Sequence, residues 1–137
     1  MTGRAVCPAV LVVASAHGVV HRKRSGRMRV RGRDGGVRLD GSELGAGLGE
    51  RATLLHFSSA FCATCRATRR VLAEVAGMVP GVTHVEIDAE DRLDLVRRLD
   101  VLKTPTVLVL DADGRIVRRA TGQPRKADVI AALGEAV

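Results

Sequence analysis

Between Ala52 and Val137 the chain alternates two kinds of hydrophobic pattern, and that alternation limits its fold more than any other feature. "ATLLHFS" (52–58) and "VTHVEID" (82–88) are short runs that read as strands. The stretch between them, "CRATRRVLAEVAGM", carries Val71, Leu72, Val75 and Val79 at helical spacing. After the second strand, "EDRLDLVRRLDVL" sets Leu93, Val96 and Leu99 along one side of a second helix, with charges opposite. "TVLVLDADGRIVRRATG" (106–122) reads as two strands joined across Asp111 to Gly114, where Asp113-Gly114 is a strong hairpin signal. A last helix, Arg125 to Val137, turns Val129, Ile130 and Leu133 toward the sheet. Strand, helix, strand, helix, hairpin, helix predicts an α/β fold: a central mixed β-sheet flanked by helices on both faces.

A chain of 137 residues suits one such domain with an extension. The expected division is an apolar segment with a basic flank over 1–34, a Gly-rich linker with short entry elements over 35–50, and the domain over 51–137. The net charge of +7 suggests a nucleic-acid binder until its distribution is read. Arg4, Arg22, Lys23, Arg24, Arg27, Arg29, Arg31 and Arg33 fall in the first 33 residues with no acid among them, which leaves the remainder at −1. The chain has no Trp or Tyr, and its phenylalanines are Phe57 and Phe61, so base stacking has little to work with. We therefore expect no nucleic-acid partner.

"AVCPAVLVVASAHGVV" (5–20) carries no charge and runs directly into the basic stretch. As a helix it would span about 24 Å, short of the roughly 30 Å hydrocarbon core, and Pro8, Ser15 and His17 weaken it further. Three readings stay open: a marginal membrane anchor, a signal peptide cut near Ala14–Ala16, and a tail that touches an anionic membrane surface. The first and third place the domain on the cytoplasmic side of the membrane, single-pass or peripheral; the second exports it. Cys7 lies in this segment, as a small apolar residue, a third thiol or a lipid attachment point.

Three cysteines, Cys7, Cys62 and Cys65, are too few for a secreted disulfide framework. Cys62 and Cys65 form a Cys-x-x-Cys pair where a strand passes into a helix. At a helix start the free amides and the macrodipole stabilise a thiolate on the first sulfur, and the second sits one turn in, close enough to close a disulfide. Such a pair performs thiol–disulfide exchange, with Cys62 as nucleophile and Cys65 as resolving thiol. A structural zinc site wants four ligands, and His56, His84 and Cys7 are scattered along the chain, so no metal is expected. Two ordinary buried thiols are the remaining alternative.

The block "LLHFSSAFCATCR" resembles the active-site segment of the thioredoxin family. Forty residues after Cys65, "KTPTVLVLDADGRIVRRATG" resembles that family's second signature, and the likeness runs over about residues 52–136. The resemblance implies a thioredoxin fold, a cis peptide before Pro105, and substrate contacts from Thr104, Pro105 and Phe61, which stands where relatives usually carry Trp. Ala63-Thr64 replaces the usual Gly-Pro between the cysteines and is expected, with Arg66, to tune the redox pair. His56 stands where many relatives carry a buried Asp, and is a candidate base for the Cys65 proton or an ordinary core histidine.

The expected activity is a thioredoxin-like protein-disulfide reductase working by dithiol exchange, with no cofactor beyond the Cys62–Cys65 disulfide. Its partners would be disulfide-containing proteins and an upstream thiol reductant, and the chain would act as a monomer. The alternatives are a non-catalytic peptide-binding module of the same fold and an exported isomerase or reductase. An Ala-, Gly-, Arg- and Val-rich composition poor in lysine suggests a bacterial source with a GC-rich genome.

Overall fold

The computed structural model describes residues 3–32 and 34–137, and side chains for all of these except 3–7 and 22–24. The side chains of Arg4, Cys7, Arg22, Lys23, Arg24 and Arg33 therefore lie outside the described residues. Four strands, β1 (Ala52–Ser58), β2 (Val82–Asp88), β3 (Thr106–Asp111) and β4 (Ile116–Thr121), form a sheet in the order β2-β1-β3-β4. The helices are α1 (Gly3–Arg24), α2 (Gly41–Leu44), α3 (Ala63–Met78), α4 (Leu93–Arg98) and α5 (Lys126–Ala136). β1 and β2 are parallel because α3 carries the chain back between them, whereas β3 pairs antiparallel with both β1 and β4.

The sheet separates two apolar layers. On one face Leu54, Val107 and Val109 meet Leu72 and Val75 of α3 and Val129, Ala132 and Leu133 of α5. On the other, Leu55, Phe57, Leu108 and Leu110 meet Leu95 and Leu99 of the α4 region. Covered on both faces, β1 is buried at all seven positions, which is why its sequence is a continuous apolar run and not an alternation. The β3–β4 turn follows the Asp113-Gly114 signal. Asp111 Oδ1 accepts from the amides of Asp113 and Arg115, each at 2.9 Å, and Gly114 adopts φ 84° with the Leu39 carbonyl pressed against it.

Two helical faces differ from expectation. α4 is only six residues long, so its register is set by the packing of Leu95 and Leu99; Leu95 is buried and Leu93 is exposed. In α5 the small Ala132 allows close approach to the sheet and Ile130 turns outward.

Residues 35–50, expected as a Gly-rich linker with short entry elements, carry the short helix α2 and place two leucines in the core. Leu39 donates its amide to the Gly114 carbonyl at 2.9 Å, and Leu39 and Leu44 are buried in the second layer. Asp40 caps α2 in a reciprocal capping box with Glu43, which stabilises a four-residue helix too short to persist alone.

The basic flank is also built in. Residues 25–32 form a strap along β4: the Gly26 amide donates to the Thr121 carbonyl at 2.8 Å, and Arg29 and Arg119 exchange two backbone bonds of 2.7 Å. Asp34 then receives a bidentate pair from Arg119, at 2.8 and 3.0 Å, with both side chains buried. α1 is helical through Pro8 and leaves Val10, Leu11, Val12 and Val13 exposed. Among the described residues no helix is long and apolar enough to cross a membrane.

Candidate active site

β1 ends at Ser58 and a short loop delivers Cys62 to the N-cap of α3. Cys62 is extended (φ −114°, ψ 105°), so its side chain folds back over the first helical turn and its Sγ accepts the Cys65 amide at 3.1 Å. The Thr64 hydroxyl lies 3.3 Å from the same sulfur. The two cysteines are joined in a disulfide with their Cα atoms 5.2 Å apart. Cys62 is partly exposed and Cys65 is completely buried. A substrate can therefore reach one sulfur and not the other. Reduction would leave Cys62 facing one free helical amide and one hydroxyl, both of which favour a thiolate.

The second signature lies against this loop. The Thr104–Pro105 peptide is cis. Thr104 is half-buried with its hydroxyl 3.1 Å from that of Ser59, and the Pro105 carbonyl accepts the Gly122 amide at 2.8 Å. Phe61 is fully exposed beside Cys62, an apolar ring with nothing packed on it. Ala63, Thr64 and Arg66 are exposed on the first turn of α3. Arg69, one turn further on, is committed to Glu86 through bonds of 2.5 and 2.6 Å.

His56 is fully buried in β1, and neither ring nitrogen has a hydrogen-bond partner. The parallel register sets His56 opposite Glu86 and Leu54 opposite His84, which brings the two imidazoles together with centroids 6.0 Å apart. Burial pushes His56 down to about 4, an effect that Glu86 opposes and His84 and Arg69 reinforce. His84 is lowered as well, chiefly by burial. Glu86 is held at about 2, first by the Arg69 guanidinium and then by the Ser58 hydroxyl, against its own desolvation. His56, His84 and Glu86 thus gather donor atoms within 4.8 Å of one another, where the sequence separated them. The carboxylate of this trio is already engaged by a cation and a hydroxyl, so the cluster reads as an ion-pair network under two neutral imidazoles.

A family model described as a thioredoxin-like domain matches residues 45–137. The chain belongs to the thioredoxin family. Thioredoxin H5 of Oryza sativa subsp. japonica is 28% identical over 72 residues, 53% of either chain, so this chain spans about half the length of that curated relative. Among solved structures, a thioredoxin from Nicotiana alata aligns with TM-score 0.57 at 22% identity, covering 64% of this chain and 74% of its own. Mitochondrial thioredoxin 3 of Saccharomyces cerevisiae, in its oxidised form, aligns with TM-score 0.55 at 17% identity, covering 63% and 79%. At those identities the structural likeness establishes the thioredoxin fold. On that fold the Cys62–Cys65 disulfide stands at the N-cap of α3.

Sequence reasoning names the cysteines, Thr64 and the loop of Pro105 but misses two contributors. Thr64 enters it as part of a tuning dipeptide, and a hydroxyl two positions after an N-cap is placed to reach the capping atom. Ser59 had no signal, since its partner Thr104 is 45 positions away. His84 stands 28 positions from His56 in the sequence; the alternation of β2 gives its face, and only the β1–β2 register gives its neighbour.

Proposed function

We propose that this thioredoxin-family chain reduces protein disulfides by dithiol exchange. The observation that carries the reading is the asymmetry of the pair: an accessible Cys62 faced by two donors and a fully buried Cys65. The Cys62 thiolate attacks one sulfur of a substrate disulfide; that bond breaks, a mixed disulfide forms, and the departing sulfur takes up a proton. Cys65 then loses its proton and attacks Cys62 Sγ, releasing the second substrate thiol. Two electrons have passed to the substrate, and an upstream thiol reductant restores the dithiol.

Phe61 and the backbone around Thr104 and Pro105 would receive the extended substrate beside the attacking sulfur. His56 would take the Cys65 proton. Its depressed pKa means that it enters the step with a free lone pair, and also that it is a weak base passing the proton onward. Burial of Cys65 and a first turn of α3 without an acidic residue favour reduction over a purely binding role.

Insulin reduction tests the proposal. The wild-type protein should precipitate the insulin B chain under a thiol reductant, Cys62→Ser should not, and Cys65→Ser should accumulate a mixed disulfide. A wild-type rate equal to that of Cys62→Ser would overturn it and leave a peptide-binding module.

For α1 we propose contact with an anionic membrane surface, supported by exposed Val10, Leu11, Val12 and Val13 ahead of the basic strap. The full chain should sediment with anionic vesicles, and Leu11→Asp/Val12→Asp should release it; sedimentation unaffected by those changes would refute the contact.

A further inference from the structure

The strap that latches onto β4 lies beside the loop that precedes Pro105. Gly26 (φ 76°) sits so close to the Gln123 carbonyl that a Cβ there would come within 1.9 Å of its oxygen, and Ser25 Oγ occupies the space a side chain at Gly122 would fill. Gly122 is itself bonded to the Pro105 carbonyl. Strap, β4 end and cis-proline loop are therefore one contiguous surface, fixed at its far end by the buried Asp34–Arg119 pair.

Between the strap and residues 100–103 runs a groove of about 480 Å³. Its walls carry Arg27, Arg29 and Lys103, all exposed and, among the described residues, without an acidic partner. Asp100, the acidic group on the wall, is paired with Arg31. Val30 and Leu102 add exposed apolar surface, 67% and 84% accessible. The groove thus offers three unneutralised cations and an apolar stripe at the entrance to the substrate loop. Cationic walls facing water do little for the stability of the fold, and three of them around one groove set up a field that attracts an anionic partner.

We propose that this groove selects substrates, taking extended polypeptide whose acidic residues flank the disulfide to be reduced. The inference rests on the reductase reading and adds to it a substrate class. Acidic side chains entering the groove meet Arg27 and Arg29 on one wall and Lys103 on the other, while the adjoining disulfide reaches Cys62 past Thr104.

Two disulfide-linked peptides, identical except for paired Glu or paired Gln beside the cysteine, test it on the full chain. At low salt kcat/KM should favour the acidic peptide by about tenfold, or about 1.4 kcal/mol, as expected for two carboxylates set among three exposed cations. The preference should collapse at about 0.5 M salt. In Arg27→Gln/Arg29→Gln/Lys103→Gln, whose strap backbone bonds are untouched, the ratio should fall close to one. Equal rates for the two peptides in the wild type, or a preference that survives in the variant, would overturn the proposal. So would a variant that loses only its sedimentation with anionic vesicles while the peptide ratio stays unchanged, since the cations would then serve the membrane. Binding of the reduced peptides to Cys62→Ser, read by fluorescence anisotropy, keeps the groove testable apart from catalysis: an acidic preference in that binding, together with no turnover by the wild type, refutes the reductase reading alone.

Discussion

His56→Leu makes the buried imidazole measurable. A histidine at about 4 in the folded chain and near 6.5 when unfolded binds fewer protons in the native state throughout that interval. The unfolded state therefore gains as pH falls through 6.5, and native stability declines until the folded pKa is reached. Its full extent, some 2.5 pH units, corresponds to about 3 kcal/mol; by about pH 5 roughly 2 kcal/mol should have gone, and at about pH 7.5 almost none. Leucine fills a similar volume, titrates nowhere, and removes two buried nitrogens that have no partners, so His56→Leu should be no less stable than wild type near neutrality. Urea unfolding of both proteins at the two pH values gives the difference directly. Glu86 does not confuse it, because that carboxyl and His84 are present in both proteins and their own titrations largely cancel in the comparison. An equal loss of stability in wild type and variant would refute the argument that His56 is desolvated and unpaired. The same variant should slow resolution of the mixed disulfide by about tenfold, below the usual range for a well-matched base; an unchanged rate and pH profile would remove His56 from the cycle.

Other perturbations probe other parts of the account. Thr64→Val removes the hydroxyl beside Cys62 and with it a donor that favours the thiolate, so the reduced protein should hold less thiolate near neutral pH; ultraviolet thiolate absorbance against pH reads it, and an unchanged profile would remove Thr64 from the site. Asp34→Ala leaves Arg119 buried without its carboxylate and should cost about 3 kcal/mol, whereas Asp34→Leu/Arg119→Met should recover most of that in urea unfolding. Gly26→Ala combines a left-handed φ with a clash against the Gln123 carbonyl, so it should lower the melting temperature and open the strap to proteolysis. Leu72→Ala, at a fully buried position of α3, should cost 2–5 kcal/mol, roughly, by cavity formation.

Most of the fold was legible between residues 52 and 137 because each element there announces itself locally. β1 and β2 coincide with their apolar runs, and the hairpin falls where Asp113-Gly114 placed it. The packing of the segments around Gly26, Asp34 and Leu39 was not legible, because it is made by distant partners. Nothing near Leu39 foretells its bond to Gly114, and nothing near Asp34 foretells Arg119, 85 positions away. Glycine-rich and arginine-rich composition looks like a linker and a solvated tail, yet Gly26 is there for close backbone approach. At the site the reading was complete for the cysteines, whose spacing is itself the geometry, and incomplete for His84 and Glu86, which only a strand register could join to His56.

The central claim is that Cys62 and Cys65 form a reversible two-electron couple used on protein disulfides. Thiol trapping of the full chain across a dithiothreitol series should give a single transition with a slope of about 30 mV per tenfold change in ratio. The transition should vanish in Cys62→Ser. Reduced thiols at every poise, or a transition that persists without Cys62, would contradict the account.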